Sequence, residues 1–368
     1  MTEYLFLEPL DVLYLRGNRS FGAPGDHAIS QMPPWPSLVA GALRSRMLAD
    51  AGIAPKVLLT GAPPGPLGAV LGSFAQPGAF RVASLALACD AGAGAPQPCM
   101  PCPADLFVSD GAPPAYLRPA AARLPSSYPL PLLPALANAE RAKPAARWLS
   151  ATGWRDYLAG RALTAASLLD PAALWKTDPR VGVGLDFNRR AAAEGKLVST
   201  ETVALAPGVG LLAGISGAQG QLPAAGVVRL GGDGRGARVR SAPPPPPRDY
   251  SGLARLGRLR LITTSPAFFV EGWQLPLPPG LQATLVAAAV PRFEVISGWD
   301  LAHWRPKPAL RAVPPGAVYW LDGVETSADT LAAIERDGLW PQPLGELRSR
   351  QSEGFNAVVF APWAEPAQ

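Results

Sequence analysis

VVRLGGDGRGARVR, residues 227–240, places two β-type runs on either side of a glycine-rich turn. This pattern is a strong signal for an antiparallel hairpin, because glycine accepts the backbone angles that a tight reversal needs. Further strand-like runs lie outward from it, at 80–88 and 105–109 before the hairpin and at 255–270 and 283–297 after it. The chain is therefore predicted to consist of short strands joined by turns.

Helices are fewer and stand singly among the strands. The clearest covers 37–50, where Pro36 suits a helix start and apolar residues recur at helical spacing from Leu38 to Met47. Others are predicted over 145–162 and near 329–337. Single helices between strand pairs favour an α+β fold with antiparallel sheets over a doubly wound parallel sheet.

The length of 368 residues predicts two domains. A boundary is expected at 207–220, where glycines and a proline favour a hinge, which gives domains 1–210 and 211–368. The prolines at 243–247 predict a stiff surface connector. Long, turn-rich loops are expected from the 44 prolines and 38 glycines.

Sites for cofactors and metals are not evident. The glycines at 231–236 lie inside a hairpin, whereas a dinucleotide fingerprint joins a strand to a helix. Cys99 and Cys102 have zinc-knuckle spacing, but the second pair of ligands is missing. No cofactor and no metal are therefore predicted. The start of the chain lacks the pattern of a signal peptide, and no run of about 18 apolar residues occurs, so a cytoplasmic protein with no membrane partner is expected.

Basic residues are concentrated in one segment. Residues 229–260 hold eight arginines and two aspartates, within a chain of formal net charge +5. Such a block favours a phosphate-bearing partner, and the alternative is a solvated surface face.

Three further clusters combine cations with amide or aromatic side chains, the groups that grip phosphates and stack on unpaired bases. Together they make RNA the leading partner. Their residues are Arg16, Asn18, Arg19, Phe21 and His27; Asn188, Arg189, Arg190 and Lys196; and Trp304, Arg305, Lys307 and Arg311.

Histidine chemistry has one serious candidate. His27 follows Asp26 in a polar loop with arginines nearby, a set that a metal-independent ribonuclease could use for general acid or base catalysis. The other interpretation is a histidine that contacts RNA or orders the loop. We favour the second, so no catalytic residue is assigned.

Several stretches, in order along the chain, resemble the RAMP superfamily of CRISPR proteins, in particular the third subunit of the type III-B (Cmr) effector complex. They are LEPLDVLYLRGNRSFG (7–22), PWPSLVAGALRS (34–45), PCPADLF (101–107), VGLDFNRRAAAEGKLVSTE (183–201), VVRLGGDGR (227–235), SGWDLAHWRPKPALRAVPPGAVYW (297–320) and EGFNAVVFAPW (353–363).

The resemblance implies two ferredoxin-like halves, related to RNA-recognition folds, and a non-catalytic subunit. It implies that this subunit holds the 5′ repeat-derived tag of the guide RNA and docks against the large polymerase-like subunit and neighbouring RAMP subunits. The RGNRSFG loop with His27 and the RPKP segment are then expected on the RNA side. EGFN stands where the family has a glycine-rich loop, which makes Gly354 and Asn356 candidate RNA contacts.

Overall fold

The computed structural model describes residues 2–15, 17, 27–28, 30–90, 92, 94–109, 112–122, 125–136, 142–186, 188–300 and 305–363, without the side chains of 27–28, 192–198 and 346. The strands up to residue 205 are β1 (Thr2–Pro9), β2 (His27–Ala28), β3 (Arg81–Cys89), β4 (Gln97–Pro101), β5 (Leu106–Val108), β6 (Ala115–Tyr116), β7 (Arg118–Ala120), β8 (Leu133–Ala135), β9 (Lys143–Pro144), β10 (Trp148–Leu149), β11 (Leu168–Leu169), β12 (Trp175–Asp186) and β13 (Ala191–Leu205).

The later strands are β14 (Val209–Ser216), β15 (Ala225–Arg229), β16 (Gly236–Ala242), β17 (Arg258–Thr263), β18 (Gln282–Ala289), β19 (Glu294–Ile296), β20 (Trp299–Asp300), β21 (Arg305–Pro306), β22 (Leu310–Ala312), β23 (Val318–Glu325) and β24 (Val358–Pro362). The α-helices are α1 (Ser37–Asp50), α2 (Val57–Thr60), α3 (Pro66–Leu71), α4 (Ala151–Leu158), α5 (Tyr250–Ala254), α6 (Ala328–Asp337) and α7 (Arg348–Glu353).

The first sheet has the order β11-β10-β4-β3-β14-β1-β16-β15, and its pairs are antiparallel. On β1, Leu5 and Leu7 join the main core beneath α1, whereas Phe6 between them joins a small cluster on the opposite face. This alternation follows from the two-residue side-chain period of a strand. We call residues up to 242 the first half.

The second sheet has the order β18-β23-β17-β24 and is also antiparallel. Along β17, Leu259 and Leu261 face a core that includes residues of α5 and α6. Ile262 faces the other way, into a core shared with Leu149 and Tyr157 of the first half. We call residues from 250 onward the second half, and its sheet is thus covered on one face by a segment of the first.

The same strand order occurs in both halves. Numbered along the chain, the four strands β1, β3, β14 and β16 lie in the order fourth, first, third, second, and so do β17, β18, β23 and β24. The halves differ in their helices: α1 follows the first strand of one set, and α6 precedes the last strand of the other.

The α+β class with antiparallel sheets is confirmed, and the stretch that predicted a hairpin forms β15 and β16. The expected boundary at residue 210 lies within β14, which pairs with β1 on one side and with β3 on the other. Sheet membership changes instead across the exposed prolines 243–247. The glycines of β14 serve close packing: a Cβ on Gly210 would lie 2.6 Å from the Phe6 ring.

Within the described residues, no helix is both long and apolar enough to cross a membrane. The predicted helix over 145–162 is shorter than expected, since only Ala151–Leu158 is helical and a short strand precedes it.

A buried ion pair holds the two halves together. Arg260 of β17 lies 2.7 Å from the carboxylate of Asp105, donates to the carbonyl oxygens of Tyr157 and Pro362, and stacks over the Tyr157 ring. The Tyr157 hydroxyl donates to the other oxygen of Asp105. Burial raises the pKa of Asp105, whereas Arg260 and the hydrogen bond from Tyr157 act to lower it. Every charged atom of this pair is therefore hydrogen-bonded, and the bonds from Arg260 to Asp105 and Tyr157 cross the junction.

Replacing Arg260 with Met should destabilise the protein by about 3–5 kcal/mol, because it leaves the Asp105 carboxylate buried without its cation. Arg258→Met is the matched control on the same strand, since its ion pair with Asp322 is half exposed and should contribute about 1 kcal/mol or less. Urea unfolding midpoints measure both. Equal shifts would contradict the role assigned to the buried pair.

Candidate nucleic-acid interface

Strands β12 and β13 form a long hairpin that carries one of the predicted basic clusters. Twelve residues of β12 extend about 40 Å at the usual rise per residue. At the tip, Asp186 accepts hydrogen bonds from the backbone of Asn188 and Arg189, which shapes the turn. Asn188, Arg189 and Arg190 are all exposed there. Their side chains are available to a ligand, whereas the side chain of Lys196 is outside the described residues.

The outer part of this hairpin is also apolar. Val181, Val183 and Leu185 are 71%, 49% and 56% exposed. The spacing of two places Val181 and Val183 on one face of β12, and the pairing with β13 becomes irregular between Val183 and Leu185. Exposed apolar side chains grouped on one face indicate a surface that contacts another molecule.

The middle of the hairpin pairs with residues 27–28, at the end of the loop that was predicted to bind RNA. β2 pairs in parallel with β13, so that His27 is opposite Ser199. Ser30 donates to Glu201 through both its hydroxyl and its backbone amide. Arg16, Asn18, Arg19 and Phe21 lie outside the described residues, as does the His27 side chain, so their RNA contacts stay predictions.

A groove with a volume of about 770 Å³ runs between the halves. One wall consists of α1 with residues of the 55–58 and 71–77 segments, and the other consists of residues 297–307 and α7. Leu15, Gly17 and Gln31 line it as well, so the chain on either side of the predicted RNA loop borders the groove. The volume is within the range of ligand-binding clefts.

The floor of the groove is a network of charges around one carboxylate. Glu353 is buried and lies 2.7 Å from Lys307 Nζ and 3.4 Å from Arg350 Nη1. Arg44 of α1 donates to the Ser352 hydroxyl at 2.7 Å. Burial lowers the pKa of Arg44, and the charge of Glu353 opposes that shift. The described lining residues comprise three cations and the two carboxylates of Glu353 and Asp300, which leaves the groove with a net charge of 3 − 2 = +1.

The third predicted cluster is divided by the structure. Lys307 lines the groove, half buried, with its charge paired to Glu353. Arg305 lies next to it on β21 and is exposed. Arg311 is exposed on β22, where its guanidinium lies over the Phe293 ring. Only Lys307 of these three lines the groove, and Trp304 lies outside the described residues.

The EGFN stretch requires a correction. Asn356 is completely buried, and its amide group bonds to the backbone of Phe268 and Leu339. Gly354 has φ of 94°, and a Cβ there would lie 2.9 Å from Val82 and 3.0 Å from Pro36. Asn356 therefore holds two segments of the second half together, whereas Gly354 packs closely against Val82 and Pro36 of the first half.

The arginine block of residues 229–260 also differs from the phosphate-binding patch that its charge favoured. Six of its eight arginines form ion pairs with carboxylates distant in sequence. The pairs are Arg235–Asp11, Arg238–Glu8, Arg240–Asp90, Arg248–Glu335, Arg258–Asp322 and Arg260–Asp105. Most of this charge is therefore neutralised within the protein.

Residues that the sequence interpretation missed are Arg44, Arg350 and Ser352, which build the groove floor. α7 was not predicted, because six residues are too few for a periodic pattern. Arg44 lies in a correctly predicted helix. The one sign in the sequence that it has a separate role was its position outside the apolar stripe of that helix.

Comparison with known proteins identifies the family of the chain. The model of the family described as CRISPR-associated protein (Cas_Cmr3) matches residues 5–363, almost the whole chain. The chain belongs to the Cmr3 family.

The fold of this Cmr3-family chain is similar to that of a chain in a cryo-EM structure of the Type III-B Cmr-beta bound to cognate target RNA and AMPPnP, with 14% identity and a TM-score of 0.51. The match covers 98% of this chain and 99% of that one. A second cryo-EM structure, of the Type III-B Cmr-beta bound to cognate target RNA, matches with 14% identity and a TM-score of 0.50 over 97% and 96% of the two chains. No curated protein matches the chain significantly.

If Gly354 serves packing, Gly354→Ala should reduce stability by about 1–3 kcal/mol more than Gly345→Ala. Both glycines have positive φ, so both variants carry backbone strain, but a Cβ at Gly345 meets nothing within 4 Å. Thermal unfolding of the two variants measures the difference. Equal melting temperatures would show that Val82 and Pro36 do not restrict the site.

Proposed function

We propose that the chain is a non-catalytic, RNA-binding subunit of a type III-B CRISPR effector that holds the 5′ repeat-derived tag of the guide RNA. The observation that carries the proposal is the groove between the halves, with its positive floor, in a chain of the Cmr3 family. Single-stranded RNA is gripped by cations along its backbone and by faces on which bases can stack. The groove combines cations and aromatic side chains in its lining.

The arrangement of loop, groove and hairpin supports the same proposal. The predicted RNA loop lies between residues that line the groove and residues that pair with β13. RNA that leaves the groove past residues 27–28 is proposed to reach the hairpin, whose tip presents Arg189 and Arg190. In this proposal the predicted basic clusters contact successive parts of one RNA strand.

The two halves are proposed to be ferredoxin-like. Their shared strand order of fourth, first, third, second and their antiparallel pairing are those of that fold. That fold has one helix after its first strand and another before its last strand. The first half has the former, α1, and the second half has the latter, α6.

The proposed protein partners are the large polymerase-like subunit and neighbouring RAMP subunits. Exposed apolar side chains on β12 provide one surface that such a neighbour could cover. A cytoplasmic location stays a prediction.

Replacing Arg189 and Arg190 with Ala should weaken binding of any RNA that reaches the hairpin, by about fivefold for each exposed contact of roughly 1 kcal/mol. The dependence of log K on log salt should fall by about 1.4, or 0.7 for each lost phosphate contact to a single strand. Arg161→Ala is the control, since Arg161 is an exposed arginine paired with an aspartate, as Arg189 is. Fluorescence anisotropy over a salt series measures both, and an unchanged slope would contradict the hairpin contact.

A ribonuclease with His27 as acid or base remains the alternative. Incubation of the full chain with a labelled repeat RNA should leave the RNA intact, and His27→Ala should change only binding. Cleavage by the wild-type chain that His27→Ala abolishes would replace the proposed function with the enzyme.

A further inference from the structure

Two exposed aromatic side chains line the groove, one from each half. Phe74 is 39% exposed and Trp299 is 49% exposed. We propose that these two rings stack on unpaired bases of the RNA in the groove and give the site its preference for particular bases. The inference rests on the proposed function and adds to it the residues that read the bases.

Phe74 is held on a closed turn. Ser73 donates its backbone amide to the carbonyl of Gln76, and the backbone amide of Gln76 donates to the Ser73 hydroxyl. The backbone amide of Phe74 itself donates to Leu58, which fixes the turn to α2. Gly72 permits this closure, because a Cβ there would lie 2.2 Å from the Gln76 carbonyl oxygen. The ring is therefore presented by a rigid support, so little ordering is needed when a base stacks on it.

Trp299 stands on the short hairpin of β20 and β21, where it is opposite Pro306. The next residue of that hairpin, Lys307, donates its backbone amide to Gly298 and reaches Glu353 with its side chain. The backbone next to Trp299 is thus connected to the charged floor through Lys307. Its wall belongs to the second half, whereas Phe74 belongs to the first.

The floor and the walls of the groove offer different chemical groups to RNA. The floor carries the cations Arg44, Lys307 and Arg350, which attract phosphate without regard to sequence. The rings occupy the walls and offer flat apolar faces, which phosphate does not contact but bases do. Since purines stack more extensively than pyrimidines, the rings favour purines at the positions they contact.

The test uses the full chain and three variants that keep an apolar side chain: Phe74→Leu, Trp299→Leu and the control Phe293→Leu. Phe293 is 46% exposed but does not line the groove. Each is bound to a guide RNA with its 5′ tag and to the same RNA with abasic tag positions. Thermal unfolding confirms that the variants are folded, and Trp299→Phe should restore most of the binding that Trp299→Leu loses.

The expected result is about a tenfold loss of affinity for the tag RNA with each groove variant and less than a twofold change with Phe293→Leu. On abasic RNA the wild type and the groove variants should bind equally, because the base that stacks has been removed. If the wild type binds the tag RNA and the groove variants bind it equally well, the stacking role is wrong and the proposed function stands. If the wild type binds neither RNA, the proposed function fails and the stacking role fails with it.

Discussion

The groove depends on Glu353, a buried carboxylate where the two halves meet. It binds Lys307 and Arg350, and its neighbour Ser352 accepts a hydrogen bond from Arg44 of α1. A charge in this position is costly unless it is paired, so the pairing fixes α7 against the 305–307 segment and α1. Gly354 then allows the chain to turn closely over β3. This junction therefore sets the distance between the two walls of the groove.

The same junction explains how an antiparallel α+β scaffold forms a groove between its two halves. The cations that hold α7 in place also line the groove, so the residues with a structural role are the ones proposed to attract RNA. The Arg260–Asp105 pair fastens the segment that contains α4 to the second sheet. With both junctions fixed, the long hairpin of β12 and β13 extends from two joined halves.

Local patterns predicted local structure well: α1, α6 and the hairpin of β15 and β16 agree with the sequence expectations. Errors arose where the partner lies far away in the chain. Arg238 pairs with Glu8, 230 positions earlier, so the sequence showed its charge and not its neutralisation. Asn356 sat in a polar, glycine-containing stretch, yet burial makes it a backbone clamp. The glycines of β14 looked like a hinge because close packing and flexibility select the same residue.

The most direct test of the RNA-binding groove is photo-crosslinking of the full chain to a guide RNA that carries 4-thiouridine in its tag, followed by mass spectrometry of the crosslinked peptides. The account predicts crosslinks in the segments 30–48, 72–77 and 297–310, with further ones near 186–191. Crosslinks confined to α6 and β18, on the second half away from the groove walls, would contradict it.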